Sequence, residues 1–163
     1  MKNTHFCRFS ISALMAVTLI TAACSGSRDT AGAVSGTMEI NWITNIDSAL
    51  TLALEQNKPV MIDFMATWCP PCKMMDDSTF SDEDVIVKAG SFITVRIDVD
   101  KQQETANAYN SNAGKYGGIG IPNLLFLDPQ GNTLAHPIGF LPPENIIATM
   151  DSVLAQIPAE AVQ

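Results

Sequence analysis

Runs of apolar residues separated by turn residues divide the chain into alternating strand and helix candidates. The run from Val60 to Met65 is almost continuously apolar and follows Pro59, a pattern typical of a strand buried on both faces. The run from Phe92 to Val99 has the same character. From Ile46 to Gln56, apolar residues instead recur with the spacing of one helix face. The two continuous runs and this helical spacing predict buried strands connected by amphipathic helices.

The remaining predicted elements depend on the same spacing and on turn residues. In chain order they are a strand at 38–43, a helix from the cysteine motif to about residue 78, a helix that begins in a capping-box pattern at 81–84, a helix at 102–109, a loose Gly-rich loop at 110–120, strands at 123–127 and 133–138, and a helix at 142–156. Residues 128–132 are dense in turn formers, so the last two strands should form a hairpin. The order β-α-β-α-β-α-β-β-α predicts an α/β fold with helices on both faces of a central mixed sheet.

Residues 1–23 have the pattern of a secretory signal, because a basic start leads into an apolar run and then into small residues. The segment Ile20-Thr21-Ala22-Ala23-Cys24 resembles the lipobox of bacterial lipoproteins. The resemblance implies cleavage before Cys24 and a lipid anchor on its sulfur, and it favours the outer membrane because no Asp follows. Plain secretion, with Cys24 as a spare thiol, is the alternative.

Residues 24–36 are mostly small, polar or Gly, so they predict a flexible tether before a domain at 37–163. The chain has 9 basic and 17 acidic residues and a net charge of −8. This acidity argues against nucleic acid as a partner. No apolar stretch after the signal is long enough to span a bilayer. We expect a monomer.

The cysteine count narrows the chemistry of the domain. Of four cysteines, Cys7 lies in the signal and Cys24 at its end, which leaves Cys69 and Cys72. A zinc site would need two further ligands. The one remaining histidine, His136, lies far along the chain, and we expect it at the surface near a strand end. We therefore predict redox chemistry with no metal and no cofactor.

The sequence Cys69-Pro70-Pro71-Cys72 lies where the predicted strand at 60–65 gives way to a helix. On a first helical turn, this spacing lets the two sulfurs meet in a disulfide or separate as a dithiol. Unpaired N–H groups and the positive dipole end at a helix N-terminus favour a thiolate at Cys69. Cys69 is thus the predicted attacking thiolate, and Cys72 should resolve the mixed disulfide. Pro70 and Pro71 suit the start of the helix.

The stretch Pro59 to Lys73, PVMIDFMATWCPPCK, resembles the thioredoxin superfamily, in which a strand bearing an Asp leads into Trp-Cys-x-x-Cys-Lys. Lys115 to Pro122, KYGGIGIP, resembles that family's approach to its cis-proline. Gly139 matches the Gly of the family's last strand–helix turn. The resemblance covers about residues 37–157 and implies the thioredoxin fold.

Within the superfamily, residues 58–61 and 79–82 are similar to the C-terminal periplasmic domain of DsbD-type thiol:disulfide interchange proteins. That resemblance implies a reductase on the periplasmic side of the envelope that acts on disulfides of exported proteins. Such an enzyme would be recharged by a membrane electron donor of DsbD type. The chain lacks the transmembrane electron-carrying part, and its Pro-Pro is more usual in other exported reductases, which leaves the subfamily open.

The resemblance implies a role for two acids. Asp63 would be the buried acid that accepts a proton from Cys72, and a carboxyl among apolar residues should have a raised pKa. Asp76 matches a second acid of the DsbD-type domain. The alternatives are an Asp63 that faces solvent at a strand end and an Asp76 that is an ordinary exposed helix acid.

The resemblance also implies a substrate groove. Trp68 and the two prolines between the cysteines would flank it. Pro122 would be cis and would present the backbone of Ile121 to a substrate strand. Asn123 departs from the usual Thr after that proline.

Three functions remain open at this point. We expect a reductase of exported protein disulfides, and an oxidase or isomerase on the same fold would differ in reduction potential. A copper-binding metallochaperone is the third, since Met74 and Met75 follow the cysteines and thioethers with thiolates suit copper(I). Adjacent residues point about 100° apart on a helix, so both methionines cannot easily face the cysteine pair.

Overall fold

Four strands form the sheet of the computed structural model, which describes residues 38–158. They are β1 (Val60–Met65), β2 (Ile93–Asp98), β3 (Asn123–Leu127) and β4 (Thr133–Ala135). Their order is β2-β1-β3-β4, with β2 parallel to β1, β3 antiparallel to β1 and β4 antiparallel to β3. The predicted mixed sheet with a terminal hairpin is confirmed. The predicted signal, the tether and Cys24 lie outside the described residues.

Helices cover the two faces of this sheet, as predicted. They are α1 (Ile46–Gln56), α2 (Pro70–Met74), α3 (Glu83–Ala89), α4 (Gln103–Ala108) and α5 (Pro143–Leu154). A π-helical turn, Met75–Thr79, continues α2 directly. α1 and α4 contribute to the core on one face, and α3 and α5 to the core on the other. Among residues 38–158, no helix is long and apolar enough to cross a membrane.

β1 is an inner strand of the sheet and leads into the cysteine motif. Its first five residues are buried, and its backbone pairs with β2 on one side and β3 on the other. Burial on both faces explains why its sequence is nearly continuous in apolar residues. Asp63 is the exception, and the register places it directly opposite Arg96 of β2.

The prediction of a strand at 38–43 is wrong, because these residues form one isolated β-bridge and no continuous strand pairing. Ile43 pairs with Val95, and its N–H donates to the carbonyl of Thr94 at 2.9 Å while its carbonyl accepts from the N–H of Arg96 at 2.9 Å. Before Ile43, the side chain of Trp42 packs into the core. Most apolar residues of this segment therefore contribute to the fold by packing against the core, without continuous strand pairing.

The loop predicted as loose at 110–120 is closely packed instead. Residues 111–113 are buried, and Gly114–Tyr116 form a short 3-10 turn. Asn112 ties the loop together, because its Nδ2 donates to Asn107 Oδ1 at 2.7 Å and its carbonyl accepts from the N–H of Gly120 at 3.0 Å. The glycines thus permit close backbone contacts in an ordered loop.

Two element ends also differ from the prediction. The cap of α3 is Asp82, whose Oδ1 accepts from the N–H groups of Asp84 at 3.0 Å and Val85 at 3.1 Å. β4 ends at Ala135 because the next residues pair irregularly, the carbonyl of Pro137 accepting from the N–H of Leu124 at 3.0 Å.

We predict that Gly118→Ala destabilises the fold by about 1 to 3 kcal/mol, the range typical of an inserted group that forces the backbone to shift. A Cβ at Gly118 would lie 2.1 Å from the carbonyl oxygen of Asn112, a backbone atom that cannot rotate away. Gly114→Ala is the matched control, since a Cβ there meets nothing within 4 Å. Thermal unfolding of the two variants measures the difference, and equal melting temperatures would contradict this account of the loop.

Candidate functional site

The cysteine motif occupies the junction between β1 and α2. Cys69 is the N-cap of α2 in an extended conformation, with φ −90° and ψ 104°. Pro70 and Pro71 follow at the first helical positions, where a missing N–H removes no helical hydrogen bond. A buried strand that ends just before two prolines thus places Cys69 at the start of a helix.

Cys69 and Cys72 are joined in a disulfide, with their Cα atoms 5.3 Å apart. Sγ of Cys69 accepts a hydrogen bond from the backbone N–H of Cys72 at 3.2 Å. Free N–H groups of a first helical turn stabilise negative charge, so the same contact would favour a thiolate at Cys69 in the reduced protein. Each cysteine is only 3 % exposed, which leaves a narrow approach to the sulfurs.

Two acids share one arginine beside this helix. Nε of Arg96 lies 2.8 Å from Oδ2 of Asp63, and its Nη2 lies 2.7 Å from Oδ1 of Asp76. Asp63 is 2 % exposed on β1, whereas Asp76 lies on the π-helical turn, four residues after Cys72. The structure therefore brings both predicted acids together, through a residue that sequence reasoning missed.

Asp63 is a titratable group in a low-dielectric setting. Its pKa is raised from 3.8 to about 6, mainly because burial disfavours the charged form; the Arg96 guanidinium opposes this rise, and the nearby charge of Asp76 adds to it. The predicted rise in pKa thus has the predicted cause. Arg96, the ion-pair partner of this buried carboxyl, lines an open groove together with Asp76. A carboxyl that titrates near pH 6 can exchange a proton with a thiol at neutral pH.

Arg96 is held in place by aromatic rings as well as by the acids. Its guanidinium carbon lies 4.3 Å from the ring centroid of Trp42 and 5.2 Å from that of Phe80. Such cation–π contacts stabilise a partly buried cation. The segment before α1 therefore supports the site through Trp42, although it forms no strand.

Trp68 precedes Cys69 and is 46 % exposed. Its Nε1 donates to Oδ2 of Asp100 at 2.6 Å, and Nζ of Lys115 lies 3.9 Å from its ring centroid. The hydroxyl of Tyr116 donates to the other carboxylate oxygen of Asp100. This hydrogen bond is the main reason that the pKa of Asp100 lies below its usual value. Asp100 thus fixes the exposed indole at the mouth of the site.

The peptide bond between Ile121 and Pro122 is cis, as the resemblance implied. Asn123 is opposite Phe64 in the β1–β3 register, so this bond lies just beyond the end of β1, where the cysteine motif begins. Ile121 packs against the core cluster that contains Cys69 and Cys72. Within residues 38–158, neither the N–H nor the C=O of Ile121 makes a hydrogen bond. These two groups are therefore available to an extended peptide.

His136 lies directly after β4, near a strand end as predicted, but it is less exposed than the predicted surface position. The residue is half-buried, and burial lowers its pKa. Its Nε2 lies 3.1 Å from Oδ1 of Asn123 and 3.1 Å from Oγ of Ser111. The cause is the position of the residue just after the short edge strand β4, which brings its ring against the start of β3.

Arg96, Asp100 and Asn123 are the residues near the site that sequence reasoning did not assign. Arg96 is a charge inside an apolar strand, Asp100 follows the carboxyl end of the same strand, and Asn123 opens an apolar strand. A polar residue that interrupts or adjoins a buried strand was therefore the available signal in each case.

The two methionines after the motif point in different directions. Met75 is fully buried in the core cluster that also contains Phe80 and Leu124. Met74 is 54 % exposed. Met75 therefore serves as a core residue, and the two thioethers do not face one site.

The domain family described as "Thioredoxin-like domain" matches residues 46–154, which include the cysteine motif, both acids and the cis-proline. The chain belongs to the thioredoxin-like family. A solved thioredoxin from Thermus thermophilus superposes with a TM-score of 0.62 at 24 % identity, over 74 % of this chain and 92 % of that one. The thioredoxin fold implied by the resemblance is thus confirmed.

DsbD proteins are among the relatives of this thioredoxin-like chain. The "Thiol:disulfide interchange protein DsbD" of Campylobacter jejuni (strain RM1221) is 27 % identical over 123 residues, which are 76 % of this chain and 21 % of that protein. The reduced C-terminal domain of DsbD from Neisseria meningitidis has a TM-score of 0.53 at 26 % identity, over 65 % of this chain and 91 % of that one. The chain thus spans about a fifth of the length of the DsbD protein.

We predict that Asp63→Asn stabilises the protein at pH 7 by about 1 to 3 kcal/mol. A folded-state pKa of about 6, against the ordinary value of 3.8, means that the protonated acid favours the folded state. The stability that it contributes is complete below about pH 4 and is lost as the pH rises through 6. The gain from Asp63→Asn should therefore shrink at pH 4.

Denaturant unfolding of the reduced protein at pH 4 and pH 7 measures this difference. Asp77→Asn is the control, because Asp77 is exposed on the same helical turn as Asp76. A variant Asp63→Asn that is less stable than wild type at both pH values would show that the Arg96 ion pair outweighs burial.

Proposed function

We propose that this chain is an exported thiol–disulfide reductase that acts on disulfides in proteins of the cell envelope. The main support is the Cys69–Cys72 disulfide at the start of α2. The π-helical turn that continues α2 carries Asp76, which shares Arg96 with the buried Asp63. The cysteine pair has the spacing and the helix N-terminus that favour dithiol–disulfide exchange, and a buried acid, Asp63, lies on the strand that leads into the motif. Similarity to proteins named for thiol:disulfide interchange agrees with it.

The reaction begins with the reduced pair. The thiolate of Cys69 attacks one sulfur of a substrate disulfide, which forms a mixed disulfide and releases the other substrate sulfur as a thiolate. Cys72 then loses its proton, with Asp63 as the acceptor, and attacks Sγ of Cys69. This step breaks the mixed disulfide and releases the second substrate thiolate. The substrate gains two electrons, and the cysteine pair loses them as it forms its own disulfide.

Substrate binding involves the surface around the cis-proline. Ile121 offers an N–H and a C=O to an extended strand, and Trp68 provides an exposed ring beside the cysteines. Ile138 and Phe140 are exposed apolar residues that flank Gly139, whose N–H donates to the carbonyl of Pro122 at 2.8 Å. Backbone pairing with apolar contacts suits varied polypeptides, because it reads few side chains.

The direction and the place of the reaction are parts of the same proposal. A titratable Asp63 near the pair assists the loss of a thiol proton, which is the step that turns the dithiol into a disulfide. Residues 1–24 have the pattern of a lipoprotein signal, so the domain would be anchored through Cys24 on the periplasmic side of the envelope, at the outer membrane. A membrane donor of DsbD type would then return the pair to its reduced state.

We predict that Cys72→Ser in the full-length chain accumulates mixed disulfides with envelope proteins. Cys69 can still attack a substrate, but no resolving thiol remains, so the adduct persists. Non-reducing electrophoresis of cells quenched with acid should show higher-mass forms that disappear on treatment with dithiothreitol. Cys69→Ser is the matched control, because Cys72 is deeper in the helix, and it should yield few adducts.

The absence of adducts in Cys72→Ser, with Cys69 shown to be free and reactive, would contradict the proposed function. Equal adducts in the two variants would contradict the assignment of Cys69 as the attacking residue.

A further inference from the structure

Asn123 is a fully buried polar residue that follows the cis-proline directly. Its Nδ2 donates to the carbonyl of Ser111 at 3.0 Å and to the carbonyl of Gly120 at 2.7 Å. These carbonyls belong to the two ends of the loop that leads to Ile121. One side chain on β3 therefore holds both ends of this loop.

His136 contacts the other end of that amide. Since Nδ2 of Asn123 donates to two carbonyls, its Oδ1 is the atom that faces Nε2 of His136 at 3.1 Å. Oγ of Ser111 donates to the carbonyl of Tyr109 at 3.1 Å, so it too accepts from Nε2, at 3.1 Å. Nε2 must therefore carry a hydrogen. Burial lowers the pKa of the ring, which makes the neutral Nε2–H form the state at neutral pH.

The network connects three segments that are distant in sequence. Ser111 belongs to the loop after α4, Asn123 to the start of β3, and His136 to the residues after β4. Asn123 adjoins the Ile121–Pro122 bond, Ser111 lies at the start of the loop that precedes this bond, and His136 contacts both residues. Among residues 38–158, no hydrogen bond or ion pair joins these three residues to the cysteines or to the acid–arginine network. A change in the network should therefore alter the shape of the cis-proline segment and leave the chemistry at sulfur intact.

We propose that Asn123, His136 and Ser111 are positioning residues that hold the backbone of Ile121 in the geometry needed to pair with an extended polypeptide substrate. This inference rests on the proposed function, because it assigns the network to substrate affinity in the same exchange reaction. The ligand class is a polypeptide segment that carries a disulfide. A small disulfide that cannot pair with the Ile121 backbone does not depend on the network.

The test compares a polypeptide and a small disulfide on the full-length reduced protein. His136→Leu removes the Nε2–H donor and fills this half-buried position with an apolar side chain. We expect the KM for insulin to rise about three- to tenfold, the effect of losing one hydrogen bond, with kcat within about twofold. The rate with 5,5′-dithiobis(2-nitrobenzoic acid) should stay within about twofold of wild type, the range of a side chain remote from the reacting sulfur.

Two controls keep the result specific. His136→Gln retains an N–H donor and should restore most of the affinity for insulin. Asn132→Ala removes a different side-chain hydrogen bond, to Oδ2 of Asp128 in the β3–β4 turn, and should leave both rates unchanged. Ring ¹⁵N shifts of His136, assigned by their loss in His136→Gln, should show the Nε2–H tautomer.

An unchanged KM for insulin in His136→Leu, an equal loss with the small disulfide, or a neutral Nδ1–H tautomer would overturn this assignment alone. A wild-type protein that reduced neither substrate would instead contradict the proposed function, and the positioning assignment with it.

Discussion

The register of β1 between its two neighbours determines where each group of the site lies. On one side the register pairs Asp63 with Arg96, and on the other it pairs Phe64 with Asn123. The strand then ends at Met65, and the chain turns through Trp68 into the cysteines. A shift of one residue would exchange the two faces of the strand, so the burial of both faces, together with the backbone pairing, fixes the positions of the site residues.

The buried acid is where stability and chemistry conflict. A carboxylate at the position of Asp63 is costly, because burial disfavours its charged form, and the single guanidinium of Arg96 is shared with Asp76. An apolar residue would suit the core of β1 better. A buried acid at this cost is consistent with the proposed role in proton transfer, and its partner Arg96 lines an open groove.

Local chemistry made some features predictable and left others hidden. The run from Val60 to Met65 and the cysteine spacing follow from neighbouring residues, so the central strand, the start of α2 and the raised pKa of Asp63 could be derived. The partner of Asp63 could not, because the pairing with Arg96 depends on a parallel crossover. The loop at 110–120 looked flexible because glycine signals freedom, whereas Gly118 is there for a close approach to Asn112. His136 became a contact of Asn123 only through tertiary packing.

The central claim, that the cysteine pair works as a reductant, is tested most directly by its reduction potential. Equilibration of the purified full-length chain with dithiothreitol buffers, followed by thiol trapping, measures it. A reductant in this family should have a potential near that of thioredoxin, about −270 mV. A value near that of strong disulfide oxidants, about −120 mV, would contradict the reductase assignment.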